Sequence, residues 1–279
     1  MTTGTLYVVA TPIGNLEDIT LRALRVLKEV SLIAAEDTRR TRKLLTHYGI
    51  STPLTSCFEH NERTKAGSLM ERLKQGASIA LVTDAGTPGI SDPGYRVIAM
   101  AVENAVPVVA VPGPSAIVSA LSVSGLPIDR FTYLGFAPSG ATDRRRLFLG
   151  IKGREETFVF YESAKRIVDA LSDIAEILAD SDVVICREMT KVYEEVIRGK
   201  AAEINARIGG AEPKGEMTVI LRTHAPAKTP SDPATELEGL LKAGFSFKDA
   251  VATVACELGL PRKEVYKEGL KVKERLKTG

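Results

Sequence analysis

Three features of the sequence predict an α/β fold of two domains, residues 1–113 and 114–224, followed by a linker, 225–232, and a small three-helix module, 233–279. Short β-branched apolar runs alternate with segments of helical period. Those runs are apolar on both faces, the mark of strands in a largely parallel sheet covered by helices. Near the C-terminus, a Pro-rich polar stretch isolates three short helical patterns from the rest.

The elements follow in order. Leu6–Ala10, Leu32–Ala35, Ile79–Thr83 and Val108–Val111 read as strands. Between them, Leu21, Leu24, Val26 and Leu27, then Leu44 and Leu45, then Leu69, Met70 and Leu73, then Val97, Ile98, Ala101 and Val102 recur near helical spacing. A second α/β pattern starts after Pro112-Gly113-Pro114. Its strands are Phe131–Phe136, Thr157–Tyr161, Val183–Cys186, Val192–Arg198 and Met217–Arg222, with helices over Arg144–Gly150, Lys165–Ala179 and Ala201–Ile208. Pro226, Pro230 and Pro233 then mark the linker. Pro233–Ala243 stops at Gly244, Ser246–Leu258 opens with Ser246 and Asp249 in capping-box spacing, and Pro261–Lys277 completes a helix-turn-helix-like module.

Bulk composition narrows the function classes. At 279 residues and 44% hydrophobic, the chain buries substantial cores. Cys57, Cys186 and Cys256 are odd in number and lie far apart, which suits a reducing compartment and shows no metal-ligand spacing, so no metal is expected. No apolar run approaches the roughly 18 residues of a membrane span, and the N-terminus lacks the pattern of a signal peptide, so a cytoplasmic protein with no membrane partner is expected. The net charge is +2 and Trp is absent, which leaves any nucleic-acid contact to local charge and disfavours base-stacking platforms.

Several segments carry candidate chemistry. Five of the eleven residues from Asp84 to Gly94 are Gly or Pro, directly after a strand, where open α/β sheets bind ligands and glycine lets backbone approach them. A rigid structural turn would look the same. Neither this loop nor Thr11-Pro12-Ile13-Gly14-Asn15 has the GxGxxG spacing, which disfavours a nicotinamide site. Ser115, in Pro112–Ala116, caps the next helix, with or without a ligand on its free N–H groups. Glu36-Asp37-Thr38-Arg39-Arg40-Thr41-Arg42-Lys43 opens a helix with two acids that suit its dipole and four bases that suit either a phosphate-bearing substrate or solvent. His60-Asn61-Glu62 adds an imidazole. Arg144, Arg145 and Arg146, read as part of a mobile loop, match RNA phosphates or one exposed helix turn. Arg262 and Lys263 oppose the dipole of the last helix, yet residues 231–279 hold nine Lys and Arg against eight Asp and Glu, so the module is not strongly basic.

Taken together and in order, Val9–Leu16, Ala35–Arg39, His60–Glu62, Thr83–Gly94, Val111–Ser115, Phe160–Ser163, Arg187–Lys191 and Lys214–Glu216 resemble the ribosomal RNA small subunit methyltransferase I family of the tetrapyrrole methylase superfamily. The resemblance covers about residues 4–222 closely, and the helical module also fits. It implies a class III methyltransferase fold, binding S-adenosylmethionine between two α/β domains, usually as a homodimer. The implied reaction is methylation of the ribose 2′-hydroxyl of a decoding-centre cytidine in 16S rRNA, free or within the assembled small subunit. Carried over by position, Pro12, Asp84, Ala85, Gly86, Ile90, Ser91, Ser115, Ala116, Glu162 and Gly215 would hold the methyl donor.

A ribose hydroxyl is weakly acidic, so some group must accept its proton. Asp37 and His60 are the expected catalytic candidates. Glu36, Arg39, Asn61 and Glu62, with Arg144, Arg145 and Arg146, are the expected substrate contacts. Two other functions stay open at this point: a precorrin-type tetrapyrrole methylase, and a non-catalytic RNA-binding assembly factor.

Overall fold

The computed structural model describes residues 3–208, 215–225 and 232–278. Two compact units result, one running through His224 and one from Ala225 onward.

The first unit contains two five-stranded sheets. Sheet one takes β1 (Leu6–Val9), β2 (Leu32–Ala35), β3 (Leu54–Ser56), β4 (Ile79–Val82) and β5 (Val108–Val111), all parallel, in the order β3-β2-β4-β1-β5. Successive side chains of a strand point to opposite faces, and both faces are covered. Ile33 and Ala35 pack with α1 (Leu21–Glu29) and α2 (Thr38–His47), while Leu32 and Ala34 pack with α3 (Glu62–Lys74) and α4 (Tyr95–Glu103). That two-sided burial explains why these strands read as unbroken apolar runs.

The order also fixes where a ligand would bind. β1 and β4 are neighbours, but the chain leaves β1 toward β2 on one side and leaves β4 toward β5 on the other. Their C-terminal ends therefore open a crevice at a topological switch point. The loop after β1 and the Gly/Pro-rich loop after β4 rise there, tied by a two-way backbone bridge between Thr11 and Gly86 at 2.9 and 3.0 Å.

Sheet two is mixed: β6 (Phe131–Phe136), β7 (Thr157–Ser163), β8 (Asp182–Arg187), β9 (Glu195–Gly199) and β10 (Glu216–Arg222), in the order β6-β7-β10-β8-β9. β10 runs antiparallel to both β7 and β8, so its N-terminus lies beside their C-termini. On one face Phe158, Phe160, Ile185 and Leu221 pack with α6 (Ala141–Ile151), α7 (Ile167–Ile177) and α8 (Ala201–Ile208). On the other, Val159, Val184 and Ile220 pack with Ile117, Ala120 and Leu121 of α5 (Ala116–Ser124), the helix that follows β5.

The second unit is three helices, α9 (Pro233–Lys242), α10 (Phe247–Leu258) and α11 (Arg262–Thr278), around Leu237, Val251, Val254 and Val265. Ser246 caps α10 as its spacing predicts, its hydroxyl accepting the Asp249 N–H.

Three expectations change. β3 goes unforeseen, because its three residues are only half buried at a sheet edge and carry little apolar signal. The strand expected from Val192 begins at Glu195 instead. Val192 and Tyr193, apolar and strand-like in sequence, stand on an exposed turn closed by the Glu194 N–H on the Lys191 carbonyl. Of the two readings of Arg144–Arg146, the helix expected over Arg144–Gly150 holds and the mobile loop does not, since all three lie in α6. Most of the expected linker, and Lys214, fall outside the described residues.

Candidate active site

A cavity of about 290 Å³ opens where the crevice of sheet one faces the β7, β8 and β10 ends of sheet two. From sheet one it takes Ile13 of the loop after β1, then Ala85, Gly86, Ile90 and Asp92 after β4, then Ser115 and Ala116 at the start of α5. From sheet two it takes Phe136, Tyr161, Glu162, Met189, Lys191, Gly215 and Glu216. Both halves are needed to close it, since each contributes one wall.

One glycine permits that closure, and a second lets the sheet-two wall pack on itself. A Cβ on Gly14 would fall 2.5 Å from Lys191 Cγ and 2.9 Å from the Met189 carbonyl oxygen, so only glycine lets the loop after β1 meet this segment. Gly215 has φ +96°, and a Cβ there would lie 2.4 Å from Glu188 Oε1. The Glu188–Thr190 segment is itself strained, with Glu188 at φ 48° and Thr190 at φ 66°, neither of them glycine. Lys191 Nζ ties it down, donating to Glu188 and Glu216 at 2.9 Å each.

The polar groups of the cavity are mostly acids. Glu162 is buried: Oε1 accepts the Ser163 N–H at 2.7 Å and pairs with Arg166 at 2.7 Å, while Oε2 has no partner. Asp92 is half buried. Burial first, then the charges of Glu36, Asp84 and Glu216, push its carboxyl up to about 7. Tyr133 and Tyr161 meet edge to face, and the Tyr133 hydroxyl lies 2.5 Å from Ser91 Oγ.

Beside this cavity lies a smaller one of about 150 Å³, lined by Thr11, Pro12, Arg40, Lys43 and Asp84 among others. Neighbouring β2 and β4 are cross-braced there. Glu36 accepts the Asp84 N–H at 3.2 Å, Asp84 accepts the Asp37 N–H at 3.0 Å, and Arg40 pairs with Asp84 at 3.2 Å. Burial, more than the Asp84 charge, raises the Glu36 carboxyl.

The residues expected from sequence therefore separate into groups. Ala85, Gly86, Ile90, Ser115, Ala116, Glu162 and Gly215 converge on the large cavity. Pro12 and Asp84 line the smaller one, and the Ser91 side chain turns to Tyr133. Asp37 and His60 line neither cavity. Asp37 caps α2, and the Arg39 guanidinium, bonded to its carboxylate at 2.8 and 3.1 Å, holds it well below the usual carboxylate range; such a group is a poor base. His60 is exposed, its ring edge-on to Phe58.

Two expected substrate contacts require correction. Glu62 is 4% exposed, and its Oε1 accepts the N–H groups of Gly94, Arg96 and Val97, capping α4 from within. Arg144 is likewise 4% exposed and donates to Asp173 at 2.7 Å, so it reaches no outside phosphate. Arg145 is engaged by Asp173 and Glu176, Arg146 by Asp143, and Asn61 braces its own turn by accepting the Phe58 N–H. Arg39 remains exposed beside the smaller cavity's Arg40 and Lys43.

Asp92, Lys191 and the tyrosine pair escape sequence reading. The signal available for Asp92 was an acid inside a Gly/Pro-rich ligand loop. Its acidic surroundings come from β2 and β10, distant in sequence.

The comparisons agree with this geometry. The family described as Tetrapyrrole (Corrin/Porphyrin) Methylases matches residues 5–205. Ribosomal RNA small subunit methyltransferase I of Halalkalibacterium halodurans is 44% identical over 270 residues, 94% of this chain and 93% of that one. Its counterpart from Thermotoga maritima is 48% identical over 218 residues, covering 78% of this chain but 98% of its own length. Among solved structures, uroporphyrin-III C-methyl transferase from Thermus thermophilus, complexed with S-adenyl homocysteine, superposes with a TM-score of 0.56 at 19% identity, covering 78% of this chain and 97% of that one. With a family match across most of its length and near-full-length relatives above 40% identity, this chain belongs to the ribosomal RNA small subunit methyltransferase I family of tetrapyrrole methylases.

Proposed function

We propose that this protein transfers a methyl group from S-adenosylmethionine to the ribose 2′-hydroxyl of a decoding-centre cytidine in 16S rRNA. The observation that carries the methyl-donor half is the large cavity: its acidic, partly apolar lining suits an amphipathic cation. Glu162 Oε2 is buried without a partner, an acceptor awaiting a donor from a ligand. Glu216 adds negative potential, and Ile13, Ile90, Met189 and Met217 offer apolar surface for a flat ring. The residues present thus fit S-adenosylmethionine, which carries an ammonium, a sulfonium and an adenine.

When bound, that sulfonium supplies an already activated methyl group. What remains for the protein is placement and proton removal, and holding reactants in line supplies much of the rate. Gly14 lets the loop after β1 close against the Met189–Lys191 segment, and Gly215 lets the start of β10 pack against Glu188 within the opposite wall. Lys191 fixes the strained Glu188–Thr190 segment against the cavity.

The RNA half rests on the relatives' shared name and on local charge. Arg39, Arg40 and Lys43 place positive side chains beside the smaller cavity, where a phosphate flanking the reacting ribose would be neutralised. Glu36 braces the same crossing.

The test is incubation with methyl-labelled S-adenosylmethionine and small subunits, or free rRNA, lacking the modification. Label on the ribose of a single cytidine is the expected result. Label on a porphyrinoid would instead favour a precorrin-type methylase, and failure to bind S-adenosylmethionine would mark a non-catalytic assembly factor.

A further inference from the structure

We propose that Asp92 is the proton acceptor for the ribose hydroxyl, a role that rests on the methyl-transfer function above. Asp92 lines the large cavity. Its carboxylate makes no hydrogen bond or ion pair with any described residue. The acids around it are all engaged: Asp84 by Arg40 and the Asp37 N–H, Glu36 by the Asp84 N–H, Glu216 by Lys191 and Glu162 by Arg166. Among the acids that face the cavity and its rim, Asp92 is the one whose two oxygens are left free to accept.

Its position also suits the task. Asp92 is coupled to Glu36 and Asp84 on the side of the smaller, basic-rimmed cavity, and to Glu216 on the wall of sheet two. It therefore lines the pocket offered to the methyl donor within reach of Asp84, which lines the basic-rimmed cavity beside it. The loop that carries it is pinned on both sides. The Gly89 N–H bonds the Pro93 carbonyl at 3.2 Å, Ser91 contacts Tyr133 at 2.5 Å, and the Gly94 N–H is held by Glu62 at 3.1 Å. Ser91 takes φ 60°, a costly backbone angle for a non-glycine residue, and it turns the chain immediately before the carboxylate.

The electrostatics match a base that works near neutrality. Burial and the three acids raise the Asp92 carboxyl to about 7. The other titratable groups facing it are Tyr133 and Tyr161, whose hydroxyls burial pushes upward and keeps neutral, while the cations Lys191 and Arg40 are held by other acids. A carboxylate so placed combines a useful ionised fraction at neutral pH with greater basicity than an ordinary aspartate.

In the step itself, the 2′-hydroxyl O–H bond breaks and its proton passes to an Asp92 oxygen. The ribose oxygen uses the freed electron pair to bond the methyl carbon of the sulfonium donor. The carbon–sulfur bond breaks with its pair on sulfur, leaving a neutral thioether, and Asp92 returns its proton to solvent.

The test is Asp92→Asn in the full chain, read by single-turnover methylation of unmodified small subunits from pH 5.5 to 8.5 and by calorimetric binding of S-adenosylhomocysteine. The expected rate loss at pH 7.5 is about 100-fold or more. In the unsubstituted protein, the single-turnover rate should rise about tenfold per pH unit up to about 7 and then level; in the variant this rise should vanish. S-adenosylhomocysteine affinity should change less than about threefold. An unchanged rate overturns the role, and so does a rate loss matched by an equal loss of S-adenosylhomocysteine affinity, which would make Asp92 a donor-binding group. If the unsubstituted protein binds S-adenosylhomocysteine but labels no ribose, the rRNA function fails and the role falls with it.

Discussion

At the scale of single residues, the site is built from groups whose surroundings oppose their intrinsic preferences. Gly215 and Gly14 are the places where no side chain fits, and Ser91, Glu188 and Thr190 adopt backbone angles that most residues avoid. Asp92 keeps a carboxylate where burial and like charge resist ionisation, and this has a thermodynamic consequence beyond catalysis. Its folded pKa of about 7 exceeds the unfolded value of about 3.9, so between those pH values the native state binds more protons than the unfolded one. Stability contributed by this group is therefore present below pH 4 and lost as pH rises through 7. A rise from about 3.9 to about 7 corresponds to a ceiling of about 4 kcal/mol, and partial solvation reduces this to roughly 1–2 kcal/mol. Asp92→Asn should then be more stable than the unsubstituted protein by that amount at pH 8 and indistinguishable from it at pH 4. Urea unfolding at the two pH values checks this, and equal stabilities at pH 8 would show that Asp92 ionises without penalty.

At the scale of elements, Glu62 shows how a polar residue can serve the fold while resembling a substrate contact in sequence. It opens α3 but reaches across to the first turn of α4, where three backbone N–H groups would otherwise lack partners. Glu62→Ala should cost about 2–4 kcal/mol, because the N–H groups left behind are largely buried. RNA affinity per folded molecule should stay unchanged. Urea unfolding together with filter binding checks both halves, and a selective loss of RNA binding would restore Glu62 to the substrate side. Four of the five strands of sheet one and the Gly/Pro-rich loop after β4 were legible in the sequence because two-sided burial and Gly/Pro density are local signals, whereas the half-buried edge strand β3 was not. Glu62, Arg144 and Asp92 were not, since their roles depend on partners brought from elsewhere: α4 for Glu62, Asp173 of α7 for Arg144, and Glu36 and Glu216 for Asp92. Three adjacent arginines read as an RNA patch. Yet α6 turns Arg144 inward onto a buried carboxylate and leaves Arg146 outward on Asp143.

At the scale of the whole molecule, the cavity lies within the first unit. Its walls come from sheet one, α5 and sheet two, all of which precede Ala225. The second unit has a separate core around Leu237, Val251 and Val265. The Thermotoga maritima ribosomal RNA small subunit methyltransferase I is matched over 98% of its length by only 218 residues of this chain, fewer than the first unit contains. A truncated chain ending at His224 should therefore fold, since it retains every core cluster that flanks the two sheets. It should bind S-adenosylhomocysteine within about threefold of the full chain. RNA is a different matter, because a helical module with Arg262 and Lys263 in the first turn of α11 sets cations against the helix dipole, an arrangement a polyanion would relieve. Losing those contacts should weaken RNA binding and flatten its dependence on salt, since each phosphate contact adds close to one unit to the slope of log K against log salt. Calorimetry with S-adenosylhomocysteine and RNA binding at several salt concentrations separate the two effects. Unchanged RNA affinity and slope would remove the helical module from recognition, while loss of S-adenosylhomocysteine binding would mean that the first unit does not hold its cavity alone.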